Sequence, residues 1–143
     1  MSNNGTTSAG LEGERIFRLS LKLSTETLTE AAPEIEALGF EPKAFFVLDG
    51  IEDHPHPADL ARHLSMPKPT LTAYLKNLEA RGLVGRSIDP RDLRRHRLDL
   101  TPAGAELLGQ ARGALLRRYG ARLVRLTEDE QATLAALLET LCG

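Results

Sequence analysis

The spacing of apolar residues predicts an almost entirely helical chain, broken once by a hairpin. From residue 11 to about 32, Ile16, Leu19 and Leu23 recur at helical spacing, with Leu28 beyond. Pro33 closes that helix or opens the next, and residues 34–38 make at most a short helix ended by Gly39. Pro42 suits a first helical position, and Ala44, Phe45, Val47, Leu48 and Ile51 continue a mostly buried helix. His54-Pro55-His56-Pro57 reads as a break and a turn. A short helix over 57–64 then presents Ala58, Leu60, Ala61 and Leu64 inward, and Ser65-Met66-Pro67 makes a tight turn. The next helix, 68 to about 81, buries Leu71, Leu75 and Leu78, with Gly82 placed to end it.

Leu83-Val84 and residues 97–100 read as two short strands around a charged turn. Thr101-Pro102 is a cap followed by proline, a helix start. That helix runs to about 125, with Leu108, Ala111, Leu115, Tyr119 and Leu126 on one side and Leu107, Leu116 and Leu123 widening the stripe. Thr127-Glu128-Asp129-Glu130 is a capping box before a last helix carrying Leu134, Leu137, Leu138 and Leu141. Residues 1–10 show no periodicity and read as a disordered N-terminus. The expectation is a mainly α fold with a small β-hairpin, in one domain over 11–143. A helix-turn-helix and hairpin lie in the middle, about 42–100, between apolar helices at about 11–32 and 102–142. Terminal helices with such wide stripes need a partner, and a homodimer is the economical one, since a two-fold protein reads a palindrome.

Charge sharpens this picture. The chain of 143 residues has a net charge of −2, but residues 56–98 hold nine Lys/Arg against four acids, and the rest holds nine against sixteen. A basic segment inside an acidic protein is a footprint for a phosphate backbone. Its arginines collect at the hairpin, where Arg91, Arg94 and Arg95 surround the turn in VGRSIDPRDLRRHRLDL. Arginine suits a narrow minor groove, which concentrates negative potential. Asp89 and Asp92 would repel phosphate unless they pair locally, and so read as partners orienting the neighbouring arginines. In a helix-turn-helix the second helix lies in the major groove. Its outward residues here are Lys68, Thr70, Thr72, Ala73, Tyr74, Lys76 and Asn77, suited to base edges or phosphates.

Three further runs carry a resemblance: Leu78-Glu79-Ala80-Arg81-Gly82-Leu83-Val84, Asp89-Pro90-Arg91-Asp92-Leu93-Arg94-Arg95, and Leu100-Thr101-Pro102-Ala103-Gly104. Together, over about residues 57–108, they resemble the winged helix-turn-helix core of the MarR (multiple antibiotic resistance regulator) family. The resemblance implies a homodimeric DNA-binding regulator, usually a repressor, that dimerises through its terminal helices. It implies release of double-stranded DNA when a small phenolic or lipophilic effector, or an oxidant, shifts the two reading heads. The minor-groove arginine corresponds best to Arg94, with Arg91 next, and the recognition helix to residues 68–77. The chain departs from the family at Pro67 and Pro69, where small hydroxyl residues are usual; Pro67 forgoes a side-chain cap and Pro69 fits the first turn.

Other signals are weaker. His54 and His56, with Asp53, Asp59 and His63 nearby, suggest a metal-responsive version of the same regulator, although such local ligands lack the convergence zinc requires. Cys142, the single cysteine, has no basic neighbour in sequence to activate it and reads as an inert thiol. Phe40, Phe45 and Phe46 read as core, or as the lining of an effector cavity. No triad or phosphate loop points to an enzyme, and no cofactor is implied. No apolar run is long enough for a membrane and no leader is recognisable, so a cytoplasmic location is expected. A winged-helix module that binds protein instead of DNA is the remaining alternative, its only support being the two prolines.

Overall fold

The computed structural model describes residues 8–143, with side chains from Gly10 onward. Residues 1–7, most of the segment expected to be disordered, lie outside the described residues. The elements are α1 (Ser8–Ala37), α2 (Pro42–Gly50), α3 (Pro57–His63), α4 (Lys68–Ala80), β1 (Val84–Asp89), β2 (Asp92–Leu100), α5 (Pro102–Leu123) and α6 (Glu128–Cys142). The helical and hairpin order expected from the sequence is therefore present, with two corrections. The first helix starts at Ser8, not Leu11, and it continues through Pro33 to Ala37, where a break was expected. Proline costs a helix one N–H donor, here the one directed at the Thr29 carbonyl. Both residues are exposed, so solvent can meet the carbonyl left without a partner. The hairpin is also longer than expected, because its strands extend through the charged residues nearly to the turn.

The chain divides into two compact units. The first comprises the residues up to Ala31 and Arg118–Gly143. In it, Arg122 donates to Glu30 at 2.7 Å and to Glu26 at 3.4 Å. These carboxylates raise the pKa of the guanidinium, its hydrogen bond to Glu30 contributing most. Helix α6 opens on the expected capping box. Thr127 Oγ1 accepts from the Glu130 N–H, and Glu130 accepts from the Thr127 N–H. Yet α6 buries no residue, and Leu137, Leu138 and Leu141 are exposed, as are Leu11, Ile16, Phe17, Leu19 and Leu21 of α1.

The second unit, Ala32–Arg117, holds the core. Ile35, Leu48, Ile51, Leu60, Leu75, Leu78, Leu98 and Leu108 are almost wholly buried. Helix α4 stops at Gly82, whose φ of +71° takes the left-handed conformation that L side chains avoid. The Leu83 N–H then bonds the Leu78 carbonyl and the Gly82 N–H bonds that of Glu79, a Schellman closure that folds Leu83 back onto the core. The Leu83 carbonyl next accepts from Thr101 N–H at 3.1 Å. Thr101 Oγ1 caps α5 by accepting from Gly104 N–H, and donates to the Gly82 carbonyl at 2.6 Å. A Cβ on Gly104 would sit 2.0 Å from the Leu83 oxygen, so only glycine lets α5 approach the hairpin base this closely. The sequence run Thr-Pro-Ala-Gly is thus a joint: it caps α5 and seats it against the end of α4.

Candidate nucleic-acid interface

Helices α3 and α4 and the antiparallel β1–β2 hairpin together form a helix-turn-helix with a wing, all within the second unit. Helix α4 turns Leu71, Leu75 and Leu78 inward at spacings of four and three, which leaves the opposite face free. Lys68, Thr70, Thr72, Ala73, Lys76 and Asn77 are exposed there, as the pattern requires. Thr72 Oγ1 donates to the Lys68 carbonyl at 2.8 Å, so its hydroxyl hydrogen is engaged on its own helix. Pro67 is the N-cap and makes no side-chain cap bond; Pro69 falls within the first turn. Tyr74 differs from its neighbours. It is half-buried and its hydroxyl donates to Glu41 Oε2 at 3.3 Å, so it turns toward the N-terminus of α2. Burial, and then the Glu41 carboxylate, hold the phenol above its usual pKa.

The wing pairs Val84 with Leu100, Arg86 with Leu98 and Ile88 with His96; the register then slips between Ile88 and Asp89. Such an irregularity re-aims a side chain. Here Asp89 is buried while Ile88 is exposed. The three arginines then part ways. Arg95 donates to Asp59 Oδ2 on α3 at 2.8 Å, and Arg62 pairs with the other oxygen of the same carboxylate. The bonds from Arg62 and then Arg95 hold Asp59 below the usual carboxylate range. Arg91 and Arg94 are exposed and, among the described residues, their side chains make no ion pair, so both are free to meet an anion.

Asp89 and Asp92, read from the sequence as orienters of the neighbouring arginines, meet the backbone of those arginines and not their guanidinium groups. Asp89 Oδ1 accepts from the Arg91 backbone N–H at 2.8 Å, and Asp92 Oδ1 from that of Arg94 at 3.0 Å. Each aspartate folds the main chain into a local turn and leaves the guanidinium two residues on unengaged. The Arg91 N–H, and then His56, hold Asp89 below its ordinary pKa, so it keeps its charge.

The two histidines read as remote metal candidates face different partners. His54 stacks on His63, ring centroids 4.1 Å apart, while His56 Nε2 lies 2.6 Å from Asp89 Oδ2. No group of three or more His, Cys, Asp or Glu suited to a metal ion gathers among the described residues. Cys142 is exposed at the end of α6. The three phenylalanines also separate. Phe40 lines a cleft of about 620 Å³ with Glu41, Ala44, Thr70, Ala73, Tyr74 and Asn77. Phe46 lines a second cleft, with Lys43, Leu64, Met66 and Pro67. Phe45 is core, edge-on to Phe46, and lines neither, because one step along α2 turns its side chain inward. Sequence reasoning missed the Tyr74–Glu41, Arg95–Asp59 and His56–Asp89 contacts. They join residues 33 to 36 positions apart and leave no local signal.

Comparison with known proteins agrees with this geometry. The MarR family model matches residues 38–95, from the end of α1 through the wing tip. The putative transcriptional regulatory protein for the hcr operon of Thauera aromatica is 30% identical over 105 residues, which cover 72% of this chain and 63% of that protein. The match thus spans a little under two thirds of that relative's length. Among solved structures, wild-type MarR from E. coli in its apo form is 27% identical with a TM-score of 0.71, over 88% of this chain and 96% of that one. The transcriptional repressor CouR, bound to a 23-mer DNA duplex, is 29% identical with a TM-score of 0.69, over 100% and 99%. With its helix-turn-helix, its wing and the joint at Thr101–Gly104 all in place, the chain is similar to the MarR family over the matched core and in its fold.

Proposed function

We propose that the chain is a sequence-specific DNA-binding transcriptional regulator, a ligand-responsive repressor that acts as a homodimer on a palindromic operator. The observation that carries this reading is the pairing of an outward polar face on α4 with two arginines on the adjoining wing, Arg91 and Arg94, that are exposed and make no ion pair among the described residues. Helix α4 enters the major groove and the wing reaches the neighbouring minor groove, where arginine is favoured. CouR, similar over the whole chain, is a repressor solved on duplex DNA, which supports the same partner here. The exposed leucines of α6 and the exposed apolar residues of α1 supply the faces that a second copy covers. The clefts beside Phe40 and Phe46 are where a small lipophilic or phenolic effector would be sought. The role is regulatory and not catalytic, and its place is the cytoplasm with the DNA; among the described residues no helix is long and apolar enough to cross a membrane.

The test begins with selection of bound duplexes from a random library, followed by fluorescence anisotropy on the enriched site over a range of salt. Affinity should fall steeply with salt as counterions are released. Arg94→Ala should weaken binding by roughly an order of magnitude, the scale of one lost groove contact, with an unchanged thermal melt. Equal affinity of Arg94→Ala and the parent would remove the wing assignment.

A further inference from the structure

The wing has little to hold it in place. Beyond the base formed by Val84 and Leu98, every residue of the hairpin is exposed or half-buried except Asp89. Packing therefore does not fix where the tip stands; polar contacts do. The Asp89 side chain is only 8% exposed, and both its oxygens are used. Oδ1 holds the Arg91 N–H, and Oδ2 meets His56 Nε2 at 2.6 Å. His56 is the N-cap residue of α3, set by the preceding Pro55, whose carbonyl accepts from the Leu98 N–H at 2.7 Å. The other ring nitrogen of His56, Nδ1, lies 3.8 Å from Asp59 Oδ2, the atom to which Arg95 of the wing donates. The contacts run from the tip through Asp89, His56 and Asp59 and return to the wing at Arg95. Among the described residues, His56 is the link between Asp89 and the start of α3, beside the separate Arg95–Asp59 contact.

A capping side chain bonded to its own helix would serve α3 alone. His56 makes no such bond to α3 and instead spends its ring on a carboxylate 33 residues away. Without it, a buried, ionised Asp89 loses the partner of one oxygen and moves toward water, taking with it the turn from which Arg91 projects.

We propose that His56 is a positioning residue for the wing, which through Asp89 sets how Arg91 and Arg94 are presented to a duplex. This rests on the DNA-binding reading above. The full-length protein is tested as wild type, His56→Ala, Arg91→Ala/Arg94→Ala and the triple variant, each titrated against the duplex that wild type selects. His56→Ala should bind about tenfold more weakly than wild type, the scale of one hydrogen bond to a charged group. In the Arg91→Ala/Arg94→Ala background it should cost no more than about twofold, because the groups it positions are gone. A second pair guards against misfolding: His56→Gln, whose amide can reach Asp89, should restore most of the affinity, and His56→Asn, with the same group on a shorter stem, should not. Equal losses in both backgrounds, or equal affinities of the Gln and Asn variants, would overturn the positioning role and leave the DNA reading standing. If wild type enriches no duplex, the DNA reading falls, and this one with it.

Discussion

Helix α4 buries three leucines, Leu71, Leu75 and Leu78, at 2% exposure or less, whereas the hairpin between Gly85 and Arg97 buries one side chain, the carboxylate of Asp89. The two regions adjoin and are proposed to read the same duplex, but they are held by different forces. The helix is fixed by apolar contact and its reading residues ride on a rigid core. The wing is fixed by hydrogen bonds and ion pairs to α3, and its free arginines stand on main-chain turns made by Asp89 and Asp92. A rigid reader suits discrimination among base edges, which is steeply sensitive to distance and angle. A polar-held arm suits a groove whose width varies with sequence.

This contrast is broken most directly at Leu78. It is wholly buried, so Leu78→Ala should destabilise the protein by about 2–5 kcal/mol, the range for emptying a core leucine site. Urea denaturation measures it through a shift of the midpoint. A loss below about 1 kcal/mol would mean that α4 is not anchored by its leucine stripe.

The same difference in forces explains what could be read from the amino-acid sequence. Helices α2 to α6 were legible because apolar spacing and Pro, Gly and Thr punctuation agreed: Pro42, Pro57, Thr101-Pro102 and Thr127 start helices, and Gly82 ends one. The outward face of α4 followed from the same leucines. Helix α1 was misjudged at Pro33, because a local breaker signal was outweighed by the surrounding turns of helix. The wing was underestimated in length because Ile88 and Leu93 are exposed, so its strands do not alternate between apolar and polar. The aspartates were read as orienters of the arginines, but their bonds to backbone N–H groups depend on turn geometry that composition does not reveal. The His56–Asp89 contact was invisible in principle, since it is made only when the hairpin lies on α3.

If the wing is held by charge, its hold should fade in acid. Asp89 is kept below its ordinary pKa by the Arg91 N–H and by His56, so it is more readily ionised folded than unfolded. A group of this kind stabilises the fold above the unfolded carboxylate value of about 3.9. That stabilisation is lost as pH falls through the lowered folded value. Asp89→Asn should therefore melt earlier than wild type at neutral pH, and the gap between the two melting temperatures should narrow in acid below about pH 4. A gap that stays constant from neutral to acid would show that the carboxylate charge is not what secures the tip.

The smallest expected effect is the sharpest test of the contrast. Leu93 is 79% exposed, in the middle of the charged tip between Asp92 and Arg94. An apolar side chain of that size in a hairpin normally packs on something, and if the wing were held as α4 is held, Leu93 would be its anchor. With most of its surface in water it has little transfer free energy to lose. Leu93→Ser should thus leave folding stability within about 0.5 kcal/mol of wild type, the usual range for surface positions. Urea midpoints at fixed slope measure the difference. A loss above about 1 kcal/mol would place the wing with α4, as an apolar-packed element, and would leave the contacts through Asp89, His56, Asp59 and Arg95 as accessories to that packing.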